Sequence, residues 1–283
     1  MRLAILVVLT MVAFAANSLL TRLALANGSY DANIFGSVRL ISGAGMLSIL
    51  VGLRQLGTNG RAIQLKFSKP DLVATAALSL YVFAFSWAYV SLDTGLGALV
   101  LFGVVQLTMF AGALWGGEQF SHARWIGTAM AFGGLAWLLW PNQEVALSLP
   151  HATVMASAGL GWGVYSLVGR GAQDPLADTA RNFLWATPIG CLAAYLLADT
   201  GPFVQHTGLG LAILSGAVTS GLGYALWYRV LPQLSGTAAA LAQLSVPVIA
   251  MGGGMLLLSE PLTLRFLFAS LLILGGIAFG LRR

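Results

Sequence analysis

Asn17 and Thr21 interrupt the run FAANSLLTR (14–22), which is otherwise fit for lipid, and at i, i+4 they share one face of a helix. The same kind of interruption recurs along the chain. Tyr81 and Phe85 share a face, as do Tyr224 and Tyr228; Trp162 and Tyr165 sit in WGVYSLVGR (162–170), and Gln106 and Gln243 each stand alone in an apolar stretch. Asn and Gln amides donate to a carboxylate and accept from an ammonium group, and a Tyr hydroxyl does either. Aromatic faces receive an ammonium by cation–π contact or pack on an apolar body. Together Asn17, Tyr81, Phe85, Gln106, Trp162, Tyr165, Tyr224, Tyr228 and Gln243 would suit a neutral zwitterion with a hydrophobic body. The plainer role for each amide is an interhelical hydrogen bond, and for interfacial aromatics such as Trp115 and Trp140 an anchor at the membrane boundary.

No arrangement points to covalent or metal chemistry. His122, His151 and His206 fall in loops with no H-x-x-x-H pair, and no Ser–His or paired mid-span aspartate set occurs. GLGWGV (159–164) follows no strand and is no nucleotide loop. The chain is expected to be no enzyme, to hold no metal or cofactor and to use no ATP directly. Cys191, the sole cysteine, lies in an apolar run and is expected to pack in the core.

The elements that must position these side chains follow from composition. Of 283 residues, 58% are hydrophobic and 8% charged; a soluble domain carries roughly a quarter charged, so this surface must face a bilayer. The net charge of +5 comes from scattered arginines and just two lysines, Lys66 and Lys69, which suits membrane loops rather than nucleic acid. Apolar runs fall near 3–25, 34–53, 72–91, 95–116, 124–140, 152–169, 182–198, 209–228, 236–258 and 264–281. None alternates with period two, as strands of a membrane barrel would. The expectation is an all-α integral membrane protein with ten transmembrane helices.

Charge placement fixes the orientation. With ten spans, Arg2, Arg54, Arg61, Lys66, Lys69, Arg124, Arg170, Arg181, Arg229, Arg282 and Arg283 all fall on one side, so both termini are expected to be cytoplasmic. The other side holds Asp31, Asp93, Glu144, Asp199 and Glu260, with Arg22, Arg39 and Arg265 nearby. Arg39 reads as close enough to its span's start to snorkel outward. Arg2 and Ala13-Phe14-Ala15 imitate a cleavable signal, but the apolar stretch runs on to Ala26 and its polar tail recurs in the sixth run.

That recurrence is a duplication. Ser18 and Arg22 map to Ser166 and Arg170 at an offset of 148; Glu118, Gly133 and Gly134 map to Glu260, Gly275 and Gly276 at 142. Residues 1–142 and 150–283 thus form two five-helix repeats. Five being odd, the second copy is inverted, as in many secondary transporters, whose site lies between the halves. Gly112-xxx-Gly116, Gly159-xxx-Gly163 and Gly276-xxx-Gly280 read as close helix contacts, and Gly252-Gly253-Gly254 as a loosened stretch beyond Pro247.

Each unit ends with an acid, an apolar turn and a Gly-Gly helix: GGEQF…AFGGLAWLL, then LSEPLTLRFLFASLLILGGIAFGL. In this the chain resembles the EamA-type members of the drug/metabolite transporter superfamily over its whole length. The second half is the closer match, through Pro247, Glu260 and Pro261; in the first, Val105 stands where Pro247 aligns and Gln119 follows Glu118. The resemblance implies export of small metabolites, often amino acids, through a cavity formed by the first, third, fourth, sixth, eighth and ninth spans. The expected protein is a multi-pass transporter of a bacterial-type inner membrane, functional as a monomer, with a small-molecule substrate, the lipid bilayer around it and no nucleic-acid partner. Its expected substrate is an amino acid with a hydrophobic or aromatic side chain; other neutral metabolites or lipophilic drugs come next, and a channel after those. With every carboxylate in loops or at helix ends, the substrate's own gradient is the expected driver rather than protons.

Overall fold

The computed structural model describes residues 2–57, 69–117, 120–140, 148–170, 172–198, 206–234, 239 and 242–280. Glu118, Gln119, Glu144, Asp199, Arg61, Lys66, Arg282 and Arg283 lie outside them. The described residues hold helices and no strand. In order these are α1 (Arg2–Leu25), α2 (Ala32–Gly57), α3 (Lys69–Ala88), α4 (Thr94–Trp115), α5 (His122–Leu139), α6 (Leu149–Gly169) and α7 (Pro175–Leu197). Next, α8 (His206–Leu214) continues through a π-helical stretch, Ser215–Leu222, into α9 (Gly223–Val230). The last two are α10 (Ser245–Leu258) and α11 (Leu264–Gly280).

A helix therefore occupies each expected apolar run. Among the described residues, five stretches, beginning at Arg2, Ala32, Asp71, Thr94 and Thr207, are long and apolar enough to cross a bilayer. The outward faces of the helices suit lipid: Val8, Leu53, Leu56, Leu256 and Leu257 are exposed, as are Trp115 and Trp140 at helix ends. Cys191 is exposed as well, which corrects its expected core placement. It stands on the outer side of α7, where an apolar thiol can face lipid at little cost.

Helix pairing follows a regular scheme. α5 packs on α11 and α2 on α7; α3 and α4 both pack on α6, while α1 packs on α10 and on the α8–α9 rod; α2 meets the π stretch and α3 meets α7. Exchanging each of the first five helices with its counterpart in the second five leaves this list of neighbours unchanged. The caps match too. Ser121 Oγ accepts from Arg124 N at the start of α5, and Thr263 Oγ1 accepts from Phe266 N at the start of α11, each side chain capping a first-turn donor.

The α5–α11 crossing brings backbone against backbone. A Cβ on Gly276 would stand 2.7 Å from the Gly127 carbonyl oxygen and 3.0 Å from Ala131 N, and one on Gly127 would strike the Gly276 carbonyl. Only glycine lets the two backbones meet there. Of the other small-residue faces, Gly159 and Gly163 seat Val104 and Thr108 of α4, and Gly112 seats Leu167 of α6. Gly116 instead caps α4 and touches only the carbonyls of its own last turn.

Polar pairs gather at two ends of the bundle. At one, Arg54 pairs with Asp174 at 2.7 Å and Arg181 with Asp71 at 2.6 Å. At the other, Asn33 donates to Leu197 O, and Arg265 to Trp137 O at 2.7 Å. There too Arg22 donates to Tyr89 O and Val90 O at 3.0 and 2.8 Å, and lies 3.6 Å from both Asp93 and Glu260. No pair ties an element of one end to the other among the described residues.

Candidate binding cavity

Between these ends lies a cavity of about 20 Å3, room for roughly one water molecule. Phe14, Asn17 and Ser18 of α1, Tyr81 and Phe85 of α3, and Leu101 and Phe102 of α4 form one part of its wall; Trp162 of α6, Thr219 of the π stretch and Tyr224 of α9 complete it. Five of the nine residues expected at a site therefore meet here: Asn17, Tyr81, Phe85, Trp162 and Tyr224. Gln106 and Gln243, both half-buried, do not line this cavity. Tyr165 lies one ring behind it, stacked on Trp162 at 5.5 Å and accepting from Asn182 Nδ2 at 3.5 Å. Tyr228 turns toward Gly169, its hydroxyl 3.7 Å from where a Cβ there would sit.

The apolar part is a chain of touching rings. Trp162 lies 5.0 Å from both Tyr81 and Tyr224; Tyr81 continues to Phe85 at 5.3 Å, and Tyr224 to Phe14 at 5.9 Å. Offset and edge contacts of this kind add about 0.5–1.5 kcal/mol per pair beyond burial. Three different helices supply Tyr81, Trp162 and Tyr224, so the rings also hold those helices together.

The polar part centres on Asn17. Its Oδ1 accepts from Ser215 Oγ at 2.7 Å and Thr219 Oγ1 at 3.1 Å, while its Nδ2 donates to Tyr81 OH at 3.3 Å. The π stretch makes this possible. Wider turns of this type often mark functional sites, and here the small residues Ser215, Gly216, Thr219 and Ser220 bring that backbone against α2 and α1. A Cβ on Gly216 would collide with Arg39 O and Ser42 Oγ. Thr21, expected on Asn17's face of the helix, spends its hydroxyl on Asn17 O within α1 at 2.7 Å.

Arg39 departs most from expectation. It is fully buried rather than snorkelling. Helix α2 begins at Ala32, which puts Arg39 about 10 Å along the axis at ~1.5 Å per residue. Its Nη2 donates to Tyr81 OH at 2.9 Å and its Nε to Ser220 Oγ at 3.1 Å, and its Cζ stands 5.0 Å from the centres of both the Tyr81 and Phe85 rings. Ser215, Thr219 and Ser220 were not singled out in the sequence; the one available signal was the small and polar cluster SGAVTSGLGY (215–224) inside an apolar run.

Glu260 closes one end. Its carboxylate accepts from Thr94 N at 2.8 and 2.9 Å and from Thr94 Oγ1 at 2.9 Å, beneath the C-terminus of α10. A Cβ on Gly254 would occupy the position of this carboxylate, so the third of the three glycines makes room for an acid rather than loosening the helix. Burial pushes the Glu260 carboxyl above the usual carboxylate range, against the Thr94 hydrogen bonds and the Arg22 charge, which pull it down. No group of metal-ligating side chains occurs among the described residues.

Comparison with known proteins places this arrangement. The EamA-like transporter family model matches residues 150–282, the half with the fuller Pro247 and Glu260-Pro261 pattern. An uncharacterized protein of Pseudomonas aeruginosa is 46% identical over 97% of this chain and 92% of its own. An uncharacterized transporter of Archaeoglobus fulgidus is 24% identical over 73% of this chain and 74% of its own, and the Bacillus subtilis uncharacterized transporter YoaV is 20% identical over 86% and 85%. A crystal structure shares the fold at 21% identity, with a TM-score of 0.66 over 96% of this chain and 97% of that one. The chain is a multi-pass membrane protein that belongs to the EamA-like transporter family.

Proposed function

We propose that this protein is a secondary transporter that exports small neutral metabolites, foremost amino acids with hydrophobic or aromatic side chains, across a bacterial inner membrane. It crosses the membrane ten times as two inverted five-helix repeats, 1–142 and 150–283, with both termini cytoplasmic, and works as a monomer. The two halves rock about a shared cavity, opening it alternately to each side. The observation that carries this reading is the cavity itself: α1, α3 and α4 of one half and α6, the π stretch and α9 of the other build its wall.

Three further observations support it. The principal helix pairs are unchanged when the halves are exchanged, the α5 and α11 caps correspond at the offset of 142, and the polar pairs divide between two ends as alternating spans require. The stacked rings of Tyr81, Trp162 and Tyr224 cross the centre, where a channel would need a continuous polar path. Among the described residues no carboxylate lines the cavity, so the substrate's own gradient remains the preferred driver. In proteoliposomes loaded with labelled phenylalanine, leucine or a sugar phosphate, the aromatic and aliphatic amino acids should move faster than in protein-free vesicles and the sugar phosphate should not. Flux of the sugar phosphate alone would overturn this substrate class.

A further inference from the structure

The Arg39 guanidinium is the least compensated group in the molecule's described interior. It is fully buried, and its Nη1 has no hydrogen-bond partner among the described residues. Its polar partners are the neutral hydroxyls of Tyr81 and Ser220. Three other buried or half-buried guanidiniums face carboxylates, Arg22 facing Asp93 and Glu260, Arg54 facing Asp174 and Arg181 facing Asp71 and Asp178, while the half-buried Arg265 donates to the Trp137 and Trp140 carbonyls. No carboxylate among the described residues comes within 4.0 Å of Arg39. A guanidinium does not lose its proton in a protein, so a full positive charge sits in the low-dielectric core with one edge unpaired. Leaving such a charge uncompensated costs several kcal/mol, and an ionised side chain inside a span marks a substrate path.

Its position specifies the ligand. Tyr81 and Phe85 are at once the wall of the cavity and the rings on which Arg39 lies. A shift of the Tyr81 ring would therefore join the cavity to the free edge of the guanidinium, which matches the two oxygens of a carboxylate. We infer that Arg39 is the carboxylate anchor of the transport site. The substrate brings the missing counter-charge, its carboxylate pairing with Arg39 while its apolar body packs among Trp162, Tyr224 and Phe85. This deepens the substrate class proposed above and rests on that reading for the identity of the site. It narrows the class to molecules with a carboxylate and removes neutral drugs and free amines from it.

The test uses two probes of equal size, 3-phenylpropionate and its neutral amide 3-phenylpropanamide, added to purified full-length protein in detergent. Thermal unfolding is followed as each is titrated. The carboxylate should raise the midpoint at a concentration at least tenfold below that needed for the amide. Arg39→Gln should abolish the difference, and Arg39→Lys should retain the preference with about tenfold weaker binding, because a point charge replaces the fork. Equal effects of acid and amide, or an undiminished preference in Arg39→Gln, would overturn the inference. The wild-type comparison decides even where a variant fails to fold. It is also independent of amino-acid flux, so a protein that prefers the acid but carries no phenylalanine would refute the amino-acid reading and leave the carboxylate anchor standing.

Discussion

Gly276→Val is expected to abolish assembly, and Gly275→Val, one residue away, to leave the protein as it was. At Gly276 the new Cβ would stand 2.7 Å from the Gly127 carbonyl oxygen and 2.8 Å from the Met130 Cβ. Backbone cannot step aside as a flexible side chain can, so α5 and α11 must separate, and the cost should reach or exceed the top of the ~1–3 kcal/mol usual for overpacking. Separation also forfeits the dispersion contacts that hold helices together in lipid, where no hydrophobic drive between helices replaces them. At Gly275 nothing lies within 4 Å of the added carbon, and a Val there meets only lipid. The measurement is the yield of monodisperse detergent-solubilised protein together with its thermal midpoint. Similar behaviour of the two variants would show that the α5–α11 crossing is not the close joint described.

Tyr81→Phe, the loss of one oxygen atom, is expected to lower transport at least tenfold. That oxygen accepts from Arg39 Nη2 and from Asn17 Nδ2, so its removal takes away the partner of a second nitrogen of a buried guanidinium. Hydrogen bonds to charged groups are worth about 1.5–3 kcal/mol, and about 1.4 kcal/mol corresponds to a tenfold change in an equilibrium. The ring remains to stack on Trp162 and Phe85, so the fold should persist with a modestly lower thermal midpoint. Tyr195→Phe is the control, since Tyr195 is 86% exposed on α7. Initial rates in proteoliposomes, normalised to folded protein, give the comparison; equal rates for Tyr81→Phe and wild type would remove this hydroxyl from the mechanism.

The sequence made the helices and half of the candidate site legible for one physical reason. Polar and aromatic side chains in apolar runs are expensive unless they meet one another, and Asn17, Tyr81, Phe85, Trp162 and Tyr224 do meet. Residue type does not say which way a helix is turned, however. Gln106 and Gln243 carry the same amide and are both half-buried, yet neither lines this cavity. Arg39 was misjudged by a short distance: two more helical residues at the start of α2 carry its charge from interface to core. The π stretch leaves no periodic signature, because Ser215–Leu222 has the composition of an ordinary small-residue helix; its glycines pack on Arg39, Ser42 and Met46. Gly159 and Gly163 were readable as a contact face because both fall inside a helix, whereas Gly116 falls at the end of one.

The central claim, two upside-down copies enclosing one cavity, is tested most directly at the equivalent caps Ser121 and Thr263. With Cys191 replaced by Ser, single cysteines are introduced as Ser121→Cys or Thr263→Cys, and intact cells are treated with a membrane-impermeant maleimide before and after permeabilisation. Thr263→Cys should label in intact cells and Ser121→Cys only once the membrane is opened. Labelling of both from the same side would show that the second half is not inverted, and the shared alternating cavity would fall with it.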